Sequence, residues 1–194
     1  MREAQKASWI TVLIGLGSNL GDRALNIRRA LTLLARSGHF HLEKRSLLYE
    51  TEPVGPPQPD FLNGVAKGTT DLLPDGFLKL LKATEKELGR EEGLRWGPRV
   101  ADLDLLFYGD SVVETPSLTV PHPRLQEREF VLVPLAEIAP TWQHPKLHKS
   151  ILELLEALYL HASNPPARAV ETMEPVAQAT GRDDWFRPDD GISP

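Results

Sequence analysis

Two aspartates, two residues apart, sit inside "RWGPRVADLDLLFYG" at residues 95–109. On an extended strand Asp102 and Asp104 project from one face, so two like charges stand side by side and need an offset. A hard cation such as Mg²⁺ supplies one, because it takes oxygen ligands and combines one or two carboxylates with phosphate oxygens. By itself the pair also fits a strand end bathed in water. The surroundings favour phosphate. Arg90, Arg95 and Arg99 precede the pair, and "PHPRLQEREF" (121–130) brings His122, Arg124 and Arg128 soon after it. A guanidinium is a planar fork that matches phosphate oxygens and stays charged. Such clamps with a metal are what phosphoryl transfer uses, since its catalysis is mainly positioning and charge neutralisation. A solvated loop with helix-end arginines is the plainer alternative.

A flat ring is the second chemical theme. Phe61, Trp96 and Phe130 fall in or beside loops, where an aromatic face can stack on a heterocycle. Asn63 offers a donor and an acceptor to a ring edge. For isolated aromatics, ordinary core packing is the plainer reading. "GLGSNLGD" (15–22) has the look of a phosphate-cradling glycine loop, but it lacks the lysine and the full glycine spacing that such loops need. It reads as a strand-to-helix turn beside the site.

The elements that must carry these residues follow from periodicity. "WITVLIGL" (9–16) is β-branched and apolar and predicts a central strand. Asp22 is placed to cap a helix whose Ala24, Ile27, Ala30, Leu31 and Leu34 share one face, with Gly38 ending it. "HLEKRSLLYET" (41–51) and "LNGVAKGTT" (62–70) predict two further strands around a proline-rich loop, "EPVGPPQPD". Pro74 opens a second amphipathic helix through Leu78, Leu81, Glu85 and Leu88, stopped at Gly89. The loop 90–99 leads to a fourth strand at 101–108. Strict alternation there places Asp102, Asp104, Leu106 and Tyr108 on one face, and Leu103, Leu105 and Phe107 on the other. The order β-α-β-β-α-β predicts an α+β, ferredoxin-like antiparallel sheet with helices on one face. C-terminal additions follow: short pieces at 112–120 and helices near 130–138 and 149–161.

Composition narrows the function classes. The 194 residues carry a net charge of −5, with 41% hydrophobic and 25% charged residues, an ordinary globular balance. That charge gives no support to general nucleic-acid or membrane binding. The absence of cysteine removes disulfides, thiolate metal sites and thiol nucleophiles, and fits a cytoplasmic protein. Residues 1–8 are expected to be a flexible extension, 9–162 the functional domain, and 163–194, rich in Pro, Asp and Ala, a disordered tail.

Four blocks in order, "GLGSNLGD", "YETEPVGPPQPDFLN", "RWGPRVADLDLLFYG" and "VPHPRLQEREFVLVPLAEIAP", resemble the hydroxymethyldihydropterin pyrophosphokinase family of folate synthesis. The likeness spans about residues 9–160. It implies a ferredoxin-like enzyme that moves the terminal pyrophosphate of ATP onto 6-hydroxymethyl-7,8-dihydropterin and releases AMP. By motif position, Asp102 and Asp104 would hold two Mg²⁺ ions against the triphosphate. Arg90 and Arg99 match the family's catalytic-loop arginines, and His122 and Arg128 its triphosphate contacts, with Arg95 and Arg124 beside them. Phe61 and Phe130 would sandwich the pterin and Asn63 would read its edge. Backbone near Thr51 and Val54 would assist, and Trp96 would close over it. Leu105, Leu118 and Thr119 fall where the family lines its adenine pocket, and Glu85 near the nucleotide. The expected molecule is a monomer without nucleic-acid or membrane partners, and too short for the fused aldolase or synthase of some relatives. Where some members carry a lysine between the first loop arginine and the tryptophan, this chain has Glu91, Glu92 and Gly93 in a segment one residue shorter.

Three other readings stay open on the residues alone. They are a ligand-binding regulatory module, a metal-dependent phosphohydrolase and, least supported, an RNA-binding domain.

Overall fold

The computed structural model describes residues 8–53, 56–90 and 97–161, with His161 described in its backbone only. Expectations for the two terminal segments, and for Val54, Arg95 and Trp96, lie outside the described residues.

Strand β1 (Ile10–Ser18) runs through the centre of the sheet, where its apolar residues are buried on both faces. Helix α1 (Arg23–Arg36) starts where expected: the Asp22 carboxylate accepts the Leu25 N–H at 3.0 Å. That bond satisfies one of the donors a helix start leaves unpaired. Its Ile27, Ala30, Leu31 and Leu34 are buried as their spacing requires. Strands β2 (Phe40–Arg45) and β3 (Tyr49–Thr51) follow, then β4 (Phe61–Thr70), helix α2 (Pro74–Glu87) and β5 (Asp102–Tyr108). All pairings in the main sheet are antiparallel, in the order β2-β4-β1-β5, with β3 paired to the far end of β4. This is the ferredoxin-like arrangement that the element order predicted.

Two departures from the sequence-based expectation have local causes. The expected strand 41–51 is broken between Arg45 and Tyr49. Ser46 turns its hydroxyl back to accept the Val65 N–H at 2.9 Å, and the Glu137 carboxylate holds the Leu47 N–H at 3.0 Å. The expected alternation along β5 is also interrupted. Leu13 pairs with Phe107 but Ile14 with Leu105, so Leu106 is an extra residue and a bulge forms. A one-residue slip reverses every later side chain. Phe107 therefore joins Leu106 on one face and Tyr108 joins Leu103 and Leu105 on the other, the reverse of strict alternation for the last two. The Tyr108 hydroxyl ends on the Leu72 carbonyl at 3.0 Å.

Each face of the sheet has its own core. Helices α1 and α2 cover one face over Val12, Ile14, Leu31, Phe77, Leu81 and Leu103. The C-terminal additions cover the other: α3 (Glu129–Ile138) and α4 (Ile151–His161) pack on Leu13, Val65, Leu106 and Phe107. Each fully buried Leu or Phe in these layers contributes about 1.5–3 kcal/mol. Between β5 and α3 lie a two-stranded ribbon, β6 (Val113–Glu114) with β7 (Thr119–Val120), and a single 3₁₀ turn (Leu125–Glu127).

Gly68 is required by close packing. A Cβ there would collide with the His41 carbonyl oxygen and the Phe40 ring. Gly68 pairs with Leu42 of the edge strand β2, next to a bulge in the register.

Candidate active site

Asp102 and Asp104 project from β5 into a cavity of about 370 Å³, within the usual range for a small-molecule site. The β5 bulge helps to build it. The carbonyl of Leu106, the extra residue, accepts the His122 N–H at 3.1 Å, which ties the segment beginning at Pro121 to the strand beside the aspartates. Along that segment His122, Arg124 and Arg128 line the cavity, as do Phe130 at the start of α3 and Arg99 on the opposite approach.

Guanidinium groups meet the carboxylates directly. Asp102 Oδ1 accepts from Arg99 Nη1 at 2.7 Å and from Arg90 Nη1 at 3.0 Å. Arg90 is held from behind by Glu85, a carboxylate only 1% exposed, at 2.5 Å. The other oxygen of Glu85 accepts the Leu103 N–H at 2.7 Å and the Lys82 ammonium at 2.8 Å. Glu85 thus connects α2, β5 and the arginine loop through one buried group. It does not line the cavity, and neither does Arg90.

The electrostatics of the basic segment follow from burial. Desolvation pushes the His122 imidazole below its usual range; Asp104 opposes this, while Arg128 and Arg124 add to it. At neutral pH the ring is therefore uncharged. Its Nδ1 accepts the Arg124 N–H at 3.3 Å, which leaves the other nitrogen as an N–H donor. Burial also lowers Arg128, with Asp104 pulling the other way, but a guanidinium remains cationic at any physiological pH. Its carbon lies 5.6 Å from the Phe130 ring centroid, a cation–π contact. Arg124 turns to Glu127 at 3.3 Å, both about half exposed.

Aromatic and amide groups complete the wall. Thr51 and Phe61 are register partners across β3 and β4, and Asn63 lies two residues further along the strand. Asn63 donates to the Thr51 hydroxyl at 2.6 Å and is only 9% exposed. Gly17 leaves the space in front: a Cβ there would approach Asn63 Oδ1 at 3.1 Å, the Asp102 Cβ at 3.6 Å and the Phe61 ring at 3.7 Å.

One cavity therefore gathers Thr51, Phe61, Asn63, Phe130, Arg99, Asp102, Asp104, His122, Arg124 and Arg128 from among the expected residues. Leu105 and Leu118 lie apart from it, buried together in the core beneath α1 and α2, and Thr119 sits on the β6–β7 ribbon. Sequence reasoning missed Asn19, which is 2% exposed and bonds to loops on two sides of the site. An Asn after glycine and serine in a strand-to-helix turn looks like ordinary turn chemistry, so nothing local singled it out.

Among the described residues no three His, Cys, Asp or Glu gather as a metal cage. Two carboxylates on one strand fit a hard cation whose remaining ligands are phosphate oxygens and water, the way Mg²⁺ is usually held.

Residues 13–140 match the family described as 7,8-dihydro-6-hydroxymethylpterin-pyrophosphokinase. The 2-amino-4-hydroxy-6-hydroxymethyldihydropteridine pyrophosphokinase of Synechocystis is 43% identical over 159 residues, 82% of either chain. That of Aquifex aeolicus is 45% identical over 144 residues, 74% of this chain and 89% of the relative. A folate synthesis bifunctional protein of Arabidopsis thaliana is 48% identical over 128 residues, but the chain spans only 23% of its length. Among solved structures, the wild-type HPPK-DHPS of Plasmodium falciparum superposes with a TM-score of 0.63 at 16% identity, over 79% of this chain and 45% of that one. At that identity the likeness concerns the fold alone. The family match over residues 13–140, together with relatives at 43% and 45% identity that the chain spans by 82% and 89%, places this protein in the hydroxymethyldihydropterin pyrophosphokinase family.

Proposed function

We propose that this chain transfers the terminal pyrophosphate of ATP to the hydroxymethyl oxygen of 6-hydroxymethyl-7,8-dihydropterin, in folate synthesis, by the following division of labour. The pterin lies against Phe61 and Phe130, with its edge read by Asn63 and with Thr51 and Val54 nearby. The triphosphate lies toward Arg99, His122, Arg124 and Arg128, and adenine toward Leu105, Leu118 and Thr119. Arg95 would assist at the triphosphate and Trp96 at the pterin. The single observation that supports the reading is that one cavity joins stacking rings and an edge-reading amide to a carboxylate pair and a cationic wall.

In this reading the substrate hydroxyl attacks the β-phosphorus in line. The bond from that phosphorus to the oxygen shared with the α-phosphate breaks, AMP departs with that oxygen, and the hydroxyl proton passes to solvent. Arg99 and Arg128 take up negative charge on the phosphate oxygens, and the N–H of neutral His122 adds a hydrogen bond. Arg90, held by Glu85, keeps Asp102 in place. Asp102 and Asp104 would hold two Mg²⁺ ions, which when bound supply charge neutralisation at the transferred group. No side chain need act as a dedicated base; most of the acceleration is positioning.

Residues 9–162 would form the catalytic domain, acting as a cytoplasmic monomer. Its mass in solution is checked by sedimentation. Among the described residues no helix is long and apolar enough to cross a membrane. One assay tests the activity. ATP should become AMP only when the hydroxymethyl pterin and Mg²⁺ are both present. Release of free phosphate without pterin would favour a phosphohydrolase instead.

A further inference from the structure

Asn19 is polar, almost fully enclosed and absent from the cavity wall, yet every hydrogen-bonding group of its amide is directed at a segment that does form the wall. Its Nδ2 donates to Gln58 Oε1 and to the Pro59 carbonyl, both at 3.0 Å. Its Oδ1 accepts the Arg99 N–H at 2.6 Å, and its own backbone N–H donates to the Arg99 carbonyl at 3.0 Å. Arg99 is thus held on both sides of its backbone by a residue 80 positions away. The same amide holds the end of the proline-rich loop that leads into Phe61 and Asn63. Arg23 adds a second tie nearby, donating to the Asp60 carbonyl at 2.8 Å.

Pro59 has no N–H to enter a ladder. Arg99 lies three residues before the first residue of β5, so its backbone direction depends on what grips it. A buried amide that lost one of these partners would pay the desolvation of an unsatisfied group, so the two loops are favoured in place together.

We infer that Asn19 is a positioning residue that couples the pterin-side loop, through Gln58 and Pro59, to the catalytic guanidinium of Arg99. This rests on the proposed transfer reaction, and its two arms of effect are separable. Through Arg99 the amide affects turnover; through the 58–59 loop it affects pterin affinity.

A double-mutant cycle separates them. Asn19→Ala should lower kcat about ten- to a hundredfold and raise the pterin KM about tenfold in the full chain. In an Arg99→Ala background the kcat effect of Asn19→Ala should shrink below threefold, while the rise in KM persists. An equal proportional loss of kcat in both backgrounds overturns the inference, because it is what a general packing defect produces. Should Asn19→Ala fail to fold, Asn19→Ser keeps a hydrogen-bonding oxygen at the site and takes its place in the cycle. Hydrogen exchange of the ligand-free protein judges the linkage without any activity. Asn19→Ala should speed exchange at least tenfold in both 56–61 and 97–101 and leave the central strand unchanged; acceleration in one segment alone overturns it. A wild-type chain that forms no AMP with pterin would defeat the transfer reading, and the exchange result would still decide whether the loops are coupled.

Discussion

Removing the charge of Glu85 while keeping its shape is the most informative perturbation of the site. In Glu85→Gln the side-chain oxygen can still accept the Leu103 N–H and the Lys82 ammonium, now at 2.7 and 2.8 Å. The other terminus becomes an NH₂ facing Arg90 Nη1, where the carboxylate oxygen now lies 2.5 Å away. A charge-assisted hydrogen bond is lost and two donors oppose each other. Such a bond contributes about 1.5–3 kcal/mol. Breaking a fully buried ion pair costs about 3–5 kcal/mol, but Arg90 is 26% exposed and keeps Asp102 as a second partner, so the lower range applies. For a domain of this size about 1 kcal/mol moves the melting temperature by roughly 2–4 °C, giving an expected fall of about 3–12 °C.

Turnover should fall with it, for a geometric reason. Freed from Glu85, Arg90 can swing away and leave Asp102 to Arg99 alone, which disturbs the carboxylate that the metal is expected to need. Calorimetric melting together with the AMP-forming assay reads both effects. The pterin dissociation constant should move less than threefold, because Phe61, Asn63 and Phe130 make no contact with Glu85 among the described residues. A variant that melts within a degree of wild type and turns over normally would refute the claim that Glu85 holds the arginine loop to α2 and β5.

Other expectations are simpler. Asp104→Ala should cost about a thousandfold or more in magnesium-dependent turnover yet change the melting temperature little, since the attraction it loses for Arg128 offsets the relieved repulsion with Asp102; near-normal activity would defeat the metal assignment. Arg99→Ala should lower kcat about a hundred- to a thousandfold with the pterin KM shifted less than threefold, and equal loss in both would mean a structural role. Gly68→Ala should cost stability on the order of 1–3 kcal/mol through overpacking against the Phe40 ring, read as a lower denaturation midpoint; an unchanged midpoint would show that the β2 edge yields freely. Burial, aided by Lys146, lowers His144, whose Nδ1 accepts the Lys146 and Leu147 N–H groups. The unfolded chain then binds more protons from about pH 6.5 down to the depressed folded value, so stability should fall as pH drops through that window. His122, lowered likewise, adds to the slope, and His144→Asn should flatten only part of it in melts at pH 7.5 and 5.5.

What the sequence made legible was set by short-range physics. Capping by Asp22, the helix start at Pro74 and the apolar face of the first helix depend on neighbours within a few positions and stand where spacing put them, whereas the second helix buries Phe77 and Thr84 beside the expected Leu81 and Glu85 and leaves Leu78 and Leu88 only partly buried. The carboxylate pair shared a face as period-two alternation requires, because the β5 bulge falls after Asp104 and not before it. Beyond the bulge the same rule failed for Phe107 and Tyr108. In "DLDLLFY" the run of four large residues at its end was the trace of that change: two cores, one on each face, must both be fed from a single strand. The break at Ser46 left no such trace, since its cause is Val65 on another strand and Glu137 on a helix 90 residues away. Asn19 was missed for the same reason.

Charge balance explains why an arginine-rich site would still draw a metal. Among the described cations around the aspartates, Arg90 leans on Glu85 and Asp102, Arg99 on Asp102, and Arg124 on Glu127. The guanidinium groups largely offset the site's own carboxylates, which is how the pair survives on one strand face. A triphosphate entering this cavity would add several negative charges; Arg128 lines the wall to meet part of them, but Arg99 could contribute only by releasing the acid it now holds. If Arg99 turned toward phosphate, Asp102 would lose its closest partner just as Asp104 stood beside it. A divalent ion held by Asp102 and Asp104 would meet both demands, supplying positive charge to the carboxylates so that Arg99 could serve the phosphate. On this view the arginine contacts to Asp102 would be the resting state of the site, and nucleotide binding would exchange those partners.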